Sequence, residues 1–273
     1  MDPLVLMVAP NGARRSKADH PDLPMTPDEL VAEAERCSAA GATVIHLHVR
    51  TAEGRHSLDP ELYHSAMHAV QMAVGERMVI QVTTESVRLY TPEAQIAVVR
   101  ELRPEAVSLA IRELIPDETH IDQAADFLHW LRDERIAPQY ILYTPDDVTR
   151  FHELRRRGVI PQLHPWVLFV LGRYAEPEES RASDLLCYLR HHENGSPWSA
   201  CAFGQTEAAT VLTAAGLGGH VRVGFENNLW LRAGSLAQSN ADLVVQIRQE
   251  AALVDRTLAD IEATRAFLAT TAA

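Results

Sequence analysis

Lysine is almost missing from this chain: of 25 basic residues only Lys17 is a lysine, and the rest are arginines. GC-biased codon supply accounts for most of that imbalance, but one chemical consequence survives it. A Schiff-base aldolase needs a buried lysine, generally on a barrel strand, and this chain has only Lys17 to offer. Cysteine is sparse as well. Cys37, Cys187 and Cys201 lie far apart without Cys-x-x-Cys spacing, which argues against a disulfide framework or a thiolate zinc site and fits a reducing cytosol. No apolar run is long enough to span a membrane, and the first residues lack the basic start and apolar stretch of a secretory signal, so a cytoplasmic protein is expected. Net positive charge is also lacking. At a formal −12 with no evident basic patch, neither nucleic acid nor an anionic membrane is an expected partner.

What remains is ordinary globular composition, 47% hydrophobic and 23% charged, with ample apolar surface for one large core in 273 residues. Apolar β-rich runs alternate with longer segments of helical period, the pattern of repeated βα units. Eight strands are expected: Leu4 to Ala9, Thr43 to Val49, Met78 to Thr83, Ala106 to Ala110, Gln139 to Tyr143, Trp166 to Leu171, Trp198 to Phe203 and His220 to Phe225. Helices are expected to start near Thr26, Asp59, Thr91, Thr119, Pro145, Pro177, Gln205 and Asn240. Thr26-Pro27-Asp28-Glu29 combines a capping hydroxyl, a proline in the first turn and acids that complement the helix dipole, and Thr91-Pro92 and Thr144-Pro145 repeat it. Eight units in one chain predict a single-domain (β/α)8 TIM barrel, residues 1–273, with a C-terminal helical segment over 239–268 that packs on the core. The first strand is followed by Pro10-Asn11-Gly12-Ala13-Arg14-Arg15 instead of a Gly-x-Gly-x-x-Gly turn, which disfavours dinucleotide binding. Gly216-Leu-Gly-Gly219, ahead of the last strand, is read as easing a tight turn.

The run Ala42-Thr-Val-Ile-His-Leu-His-Val-Arg50 carries the main chemical signal. His46 and His48 leave the same face of a buried strand, and their ring nitrogens need partners that one divalent ion would supply. A barrel gathers its active site at the C-terminal ends of its strands, and closure makes strands two and eight the neighbours of strand one. Arg222 and Glu226 bracket the end of strand eight, so two imidazoles and a carboxylate form a candidate site for zinc or another divalent metal. Thr83, Thr84, Glu85 and Ser86 follow strand three, and Arg112 and Glu113 follow strand four; these could bind a substrate head group or move protons. The loop from Asn11 to Asp28 carries Arg14, Arg15, Lys17, Asp19 and His20, a cationic group suited to an anionic substrate or a phosphate-bearing cosubstrate. His64 and His68 on an outer helix, His191-His192 in a loop and His164 ahead of a strand are read as surface.

Four segments resemble the β-keto acid cleavage enzymes: Asn11-Gly-Ala, His20-Pro-x-x-Pro-x-Thr-Pro27, Ala40-Gly-Ala-x-x-x-His-x-His-x-Arg50 and Gly218-Gly-His-x-Arg-Val-Gly-x-Glu-x-Asn228. The resemblance runs in order over nearly the whole chain. It implies a (β/α)8 barrel, a divalent metal, usually zinc, on His46, His48 and Glu226, and a Claisen-type exchange in which a β-keto acid and the cosubstrate acetyl-CoA give acetoacetate and a new acyl-CoA. It also implies a homo-oligomer, often a tetramer. Arg222 would hold negative charge or orient an acid, and Thr83, Thr84, Ser86, Arg112, Arg14 and Asn227 would line the substrate site. Three departures stand out. Asn227 follows the metal-binding Glu where the family commonly has Asp, strand five reads Gln139-Tyr-Ile-Leu-Tyr143 where many members carry an acid, and Thr84-Glu85-Ser86 replaces a Gly-rich turn. The expected proton-transfer group is therefore Glu85 or Glu113, with Glu85 preferred for its place beside the hydroxyls. Two other readings are a metal-dependent hydrolase on the same barrel and an inactive metabolite-binding relative.

Overall fold

The β-rich runs of the sequence become the staves of a closed, all-parallel barrel, seen in a computed structural model that describes residues 2–173, 180–193 and 195–273. Numbered along the chain, its strands are β1 (Leu6–Val8), β2 (Val44–Leu47), β5 (Val79–Thr83), β6 (Ala106–Ala110), β7 (Ala137–Leu142), β8 (Trp166–Leu171), β9 (Trp198–Ala202) and β10 (His220–Val223). They pair in sequence order, and β1 closes the ring between β10 and β2. Two further short strands, β3 (Val49–Arg50) and β4 (His56–Ser57), form an antiparallel ribbon at the rim. The second expected strand, Thr43 to Val49, is thus divided: the barrel pairing ends at Leu47, and Val49–Arg50 turns away into the ribbon. Asn11 Nδ2 takes the carbonyl of His48 at 3.1 Å, which removes that group from the ladder. The fifth barrel strand begins at Ala137, two residues earlier than expected, with Pro138 accommodated opposite Val107.

Helices α1 (Pro27–Ala40), α2 (Pro60–Val74), α3 (Pro92–Leu102), α5 (Ile121–Asp133), α6 (Pro145–Arg156), α8 (Glu207–Gly216) and α9 (Asn240–Ala251) surround the strands. Thr26, Asp59, Thr91 and Thr144 cap the N-termini of α1, α2, α3 and α6 with side-chain oxygens, each followed by a proline in the first turn, as the sequence predicts. The helix start expected near Pro177 lies outside the described residues; the short helix α7 (Leu185–Leu189) follows them. A one-turn helix, α4 (Ile111–Leu114), sits directly on the end of β6 and was not expected; it carries Arg112 and Glu113.

The segment expected as one C-terminal helical stretch is two helices. α9 packs on the outer ring, the chain breaks at Asp255 with φ 55°, and α10 (Ile261–Ala272) crosses the N-terminal mouth of the barrel. There Leu268 and Ala272, with Phe267 partly buried, meet Val5, Met7, Val44, Val79, Ala106, Ala137 and Trp166 from the strands. This plug closes one end of the barrel, so the opposite end is the one left open. No helix among the described residues is long and apolar enough to cross a membrane.

Candidate active site and metal centre

At the open end the inward-facing residues of three strands change from apolar to polar within one step of two. β2 passes from Val44 to His46, β5 from Val79 to Gln81 and Thr83, and β7 from Ala137 to Gln139. His46 and His48 are both fully buried, with their Nε2 atoms 3.0 Å apart. Glu226, three residues past β10, brings Oε2 to 3.5 Å from His46 Nε2 and 3.3 Å from His48 Nε2. Glu226 Oε2 has no hydrogen-bond partner among the described residues. Three donor atoms this close match the edges of a tetrahedral site, which are about 3.3–3.4 Å for metal–ligand bonds of about 2.0–2.1 Å. Among the described residues these three side chains form the group that could hold a divalent ion, and two imidazoles with one carboxylate would leave a coordination position open.

The protonation states fit that role. His46 Nδ1 bonds Gln81 Oε1 at 2.8 Å, Gln81 Nε2 donates to Gln139 Oε1 at 3.4 Å, and Gln139 Nε2 reaches Met7 Sδ at 3.5 Å. The chain of amides turns a carbonyl oxygen toward the imidazole, so Nδ1 carries the proton and Nε2 offers its lone pair. Burial pushes His46 down to about 3, which keeps it neutral. Burial works to raise the Glu226 carboxyl, but Arg222 and the two histidines outweigh it and hold it well below the usual carboxylate range. Arg222 Nη2 donates to Glu226 Oε1 at 3.0 Å and to Asn227 Oδ1 at 3.3 Å, while its Nε and Nη1, also buried, have no hydrogen-bond partner among the described residues.

Backbone geometry delivers Glu226. Gly224 sits at φ 135°, and a Cβ there would lie 2.3 Å from the carbonyl oxygen of Ala9, so only glycine lets this loop press against β1. The Glu226 amide then donates to Ala9 O at 3.0 Å. Glu207 Oε2 accepts from Asn228 Nδ2 at 3.0 Å, and Asn240 Oδ1 accepts the Phe225 amide at 2.6 Å, fixing the loop from behind. Burial raises the Glu207 carboxyl to about 8. Arg50 performs the same service for the loop after β1, donating to the carbonyls of Gly12, Ala13 and Arg15.

Above these three side chains lies a cavity of about 530 Å³. Of the expected site residues, His46, Glu226, Arg222, Thr83, Glu85, Arg112, Glu113 and Arg14 line it. Glu85 lies 4.0 Å from His48 Nδ1 and 3.9 Å from Arg14, and burial raises its carboxyl above the ordinary value. Glu113 Oε2 accepts the Ser86 amide at 2.9 Å. Thr84, Ser86 and Asn227 stand apart from the cavity surface. The Thr84 hydroxyl donates to Ser108 O, the Ser86 hydroxyl accepts the Arg88 amide, and Asn227 is buried against Arg222. Of the cationic loop only Arg14 reaches the cavity: Arg15 bonds Asn227 O, Lys17 pairs with Glu29, and His20 is buried against Phe225. His64, His68, His164 and His191 are exposed, as expected.

A model of the β-keto acid cleavage enzyme family matches residues 3–269. The chain belongs to the β-keto acid cleavage enzyme family. Two relatives named 3-keto-5-aminohexanoate cleavage enzyme are each 28% identical: one from Fusobacterium nucleatum over 98% of both chains, and one from Acetoanaerobium sticklandii over 90% of this chain and 91% of that one. A 3-oxoadipate:acetyl-CoA acetyltransferase from Cupriavidus necator is 28% identical over 97% of this chain and 94% of its own. Among solved structures, ObcA in a binary complex with oxaloacetate superposes with a TM-score of 0.71 at 18% identity, over 91% of this chain and 67% of that longer one, a likeness of fold.

Sequence reasoning passed over several residues that shape this family member's site. Gln81 and Gln139 each interrupt an apolar strand at an inward position, and that interruption is the signal that could have found them. Tyr143, taken only as a missing acid, lines the cavity with Arg112 lying 4.0 Å over its ring. His56, on the ribbon, lies 5.3 Å from the His48 ring and bonds Glu85 O at 2.8 Å; nothing in its local sequence marks it.

Proposed function

We propose that this chain catalyses a divalent-metal-dependent exchange in which a β-keto acid and acetyl-CoA give acetoacetate and a new acyl-CoA. The observation that carries the reading is the convergence of His46, His48 and Glu226 on one point beside Arg222, at the floor of the cavity. Relatives named as a 3-oxoadipate:acetyl-CoA acetyltransferase and, from Paraburkholderia graminis, a 3,5-dioxohexanoate:acetyl-CoA acetone transferase support acetyl-CoA as the cosubstrate. His46, His48 and Glu226 would hold zinc or another divalent ion. Bound there, such an ion polarises the keto and carboxylate oxygens of a β-keto acid and lowers the cost of negative charge on them.

The protein's own groups do the rest. Arg222, its charge sustained by Glu226 and with two buried nitrogens to spend, receives a substrate oxygen. Glu85 takes a proton from C2 of the β-keto acid. The carbanion attacks the acetyl carbonyl, the CoA thiolate leaves and adds to the original keto carbon, and cleavage of the old C2–C3 bond releases the new acyl-CoA. Glu85 then returns its proton to C2 of acetoacetate. A carboxyl raised by burial is a stronger base for this than an exposed one.

Mass-spectrometric analysis of products from metal-loaded protein and a panel of β-keto acids, with and without acetyl-CoA and beside His48→Ala, tests the reading. Acetoacetate with a matching acyl-CoA, formed only when acetyl-CoA and His48 are both present, is the expected result. Loss of substrate without acetyl-CoA would replace the reading by a hydrolase, and retention of substrate throughout the panel, with tight metal and keto-acid binding, by a metabolite-binding protein.

A further inference from the structure

The cavity has two chemically distinct walls, and the far one ends in a cation held unusually firmly. Ala110, Ile141, Val170 and Phe203 form an apolar side leading away from the metal ligands and Arg222. At its rim stands Arg112, on the one-turn helix α4. Its guanidinium lies 4.0 Å over the Tyr143 ring, and its Nη2 meets Asp147 Oδ2 at 3.0 Å. Asp147 is itself fixed, accepting the amides of Tyr143 at 2.8 Å and Thr144 at 3.1 Å as part of the cap of α6. One face and one corner of the guanidinium are therefore spent on holding it still. Its Nε and Nη1 have no hydrogen-bond partner among the described residues.

Arg88 and Arg173 also line the cavity and add to its positive charge, while both acids in the lining beyond Glu226 are engaged. Glu85 faces Arg14 and His48, and Glu113 accepts the Ser86 amide. Asp147 engages Nη2 through a single contact, so one of the two guanidinium edges that include Nη2, the Nε–Nη2 or the Nη1–Nη2 edge, keeps both of its N–H groups and presents a fork that matches a carboxylate. A stretch of apolar wall before it matches methylenes. We infer that Arg112 is a specificity-determining residue of this site and that the preferred β-keto acids are 3-oxo dicarboxylic acids, with the distal carboxylate on the guanidinium edge of Arg112 that Asp147 leaves open. This rests on the reading under Proposed function.

The test compares kcat/KM of the metal-loaded enzyme, at saturating acetyl-CoA, for 3-oxo dicarboxylic acids of five to seven carbons, 3-oxo monocarboxylic acids of equal length and a 3-oxo acid with a terminal ammonium. Wild type is expected to favour a diacid over its monoacid by about 10- to 100-fold, the range for a charge-assisted bidentate contact. Arg112→Gln should lower that ratio by about tenfold or more, mainly through KM, and Arg112→Lys, a point charge without the fork, should restore only part of it. Wild-type preference for the monoacid or the ammonium compound, or an equal loss on all substrates in Arg112→Gln, would overturn the assignment. Calorimetric titration with adipate and hexanoate decides the same point without turnover. Adipate binding that Arg112→Gln abolishes upholds the subsite even if no β-keto acid is exchanged, whereas equal binding of adipate and hexanoate removes it.

Discussion

The two ends of the barrel are built from the same eight strands and differ in almost everything else. At the N-terminal end, Val44, Val79, Ala106, Ala137 and Trp166 meet the apolar face of α10 in a sealed cluster. Two residues further along four of these strands stand His46, Gln81, Ser108 and Gln139, all buried and all polar, while the fifth continues with the apolar Leu168. Side chains at i and i+2 share a face, so one step converts the interior from a packed core into a site with unspent donors and acceptors. Stability is expected to reside in the first end and chemistry in the second. Buried apolar surface offsets chain entropy, whereas a buried polar group gains only what its partners return.

That division can be broken by substitution at either end. The largest expected effect is at the open end: His48→Ala should lower kcat/KM by about 1,000-fold or more and abolish metal retention, while leaving the metal-free melting temperature nearly unchanged. Metal content by plasma emission and a thermal melt check both halves. Next, Glu85→Gln should reduce turnover by about 100-fold or more with full metal occupancy, as removal of a general base does; wild-type rates in that variant would end the assignment. At the plugged end, Trp166→Ala is expected to cost about 3–5 kcal/mol in denaturant titration, because the indole is wholly buried and bonds Ser199, yet its folded fraction should bind metal normally. Gln81→Leu connects the two ends: loss of the bond to His46 should weaken metal affinity by about 10- to 100-fold with modest change in stability, measured by competition with a chelator.

The effect that is smallest at neutral pH, and grows only on acidification, is in pH dependence. Burial holds His220, near the plug, at about 3 in the folded protein, against an ordinary value near 6.5. The unfolded chain therefore binds the extra proton first, and this contribution to stability is intact above about pH 6.5 and lost as pH falls toward 3. His220→Gln, whose amide oxygen can still accept the Val5 amide, should gain on the wild type as pH is lowered from 7 to 4. Melting curves across that range check the sign.

The barrel was legible because its signals are local. Alternating apolar runs and Thr-Pro helix starts at Thr26, Thr91 and Thr144 act within a few residues, and the structure keeps them. The three-ligand set was partly legible: His46 and His48 share a strand face by periodicity, and Glu226 follows from ring closure that sets strands two and eight on either side of strand one. Tyr143 and Gln139 were not, since their roles depend on which neighbours face them across the interior. Thr84 and Ser86, adjacent to Thr83 and Glu85 in sequence, differ from them in standing outside the cavity lining, a distinction set by the local turn.

By itself the sequence determined the alternation of strands and helices, the paired imidazoles and the family motifs, all consequences of period and short-range spacing. Only the tertiary structure decided that α10 seals one mouth, that Gly224 brings Glu226 onto the histidines, and that Arg112 lies clamped between Tyr143 and Asp147. Each of these depends on groups far apart in the chain whose meeting is set by closure of the barrel and the fit of side chains across it, and no local pattern encodes that fit.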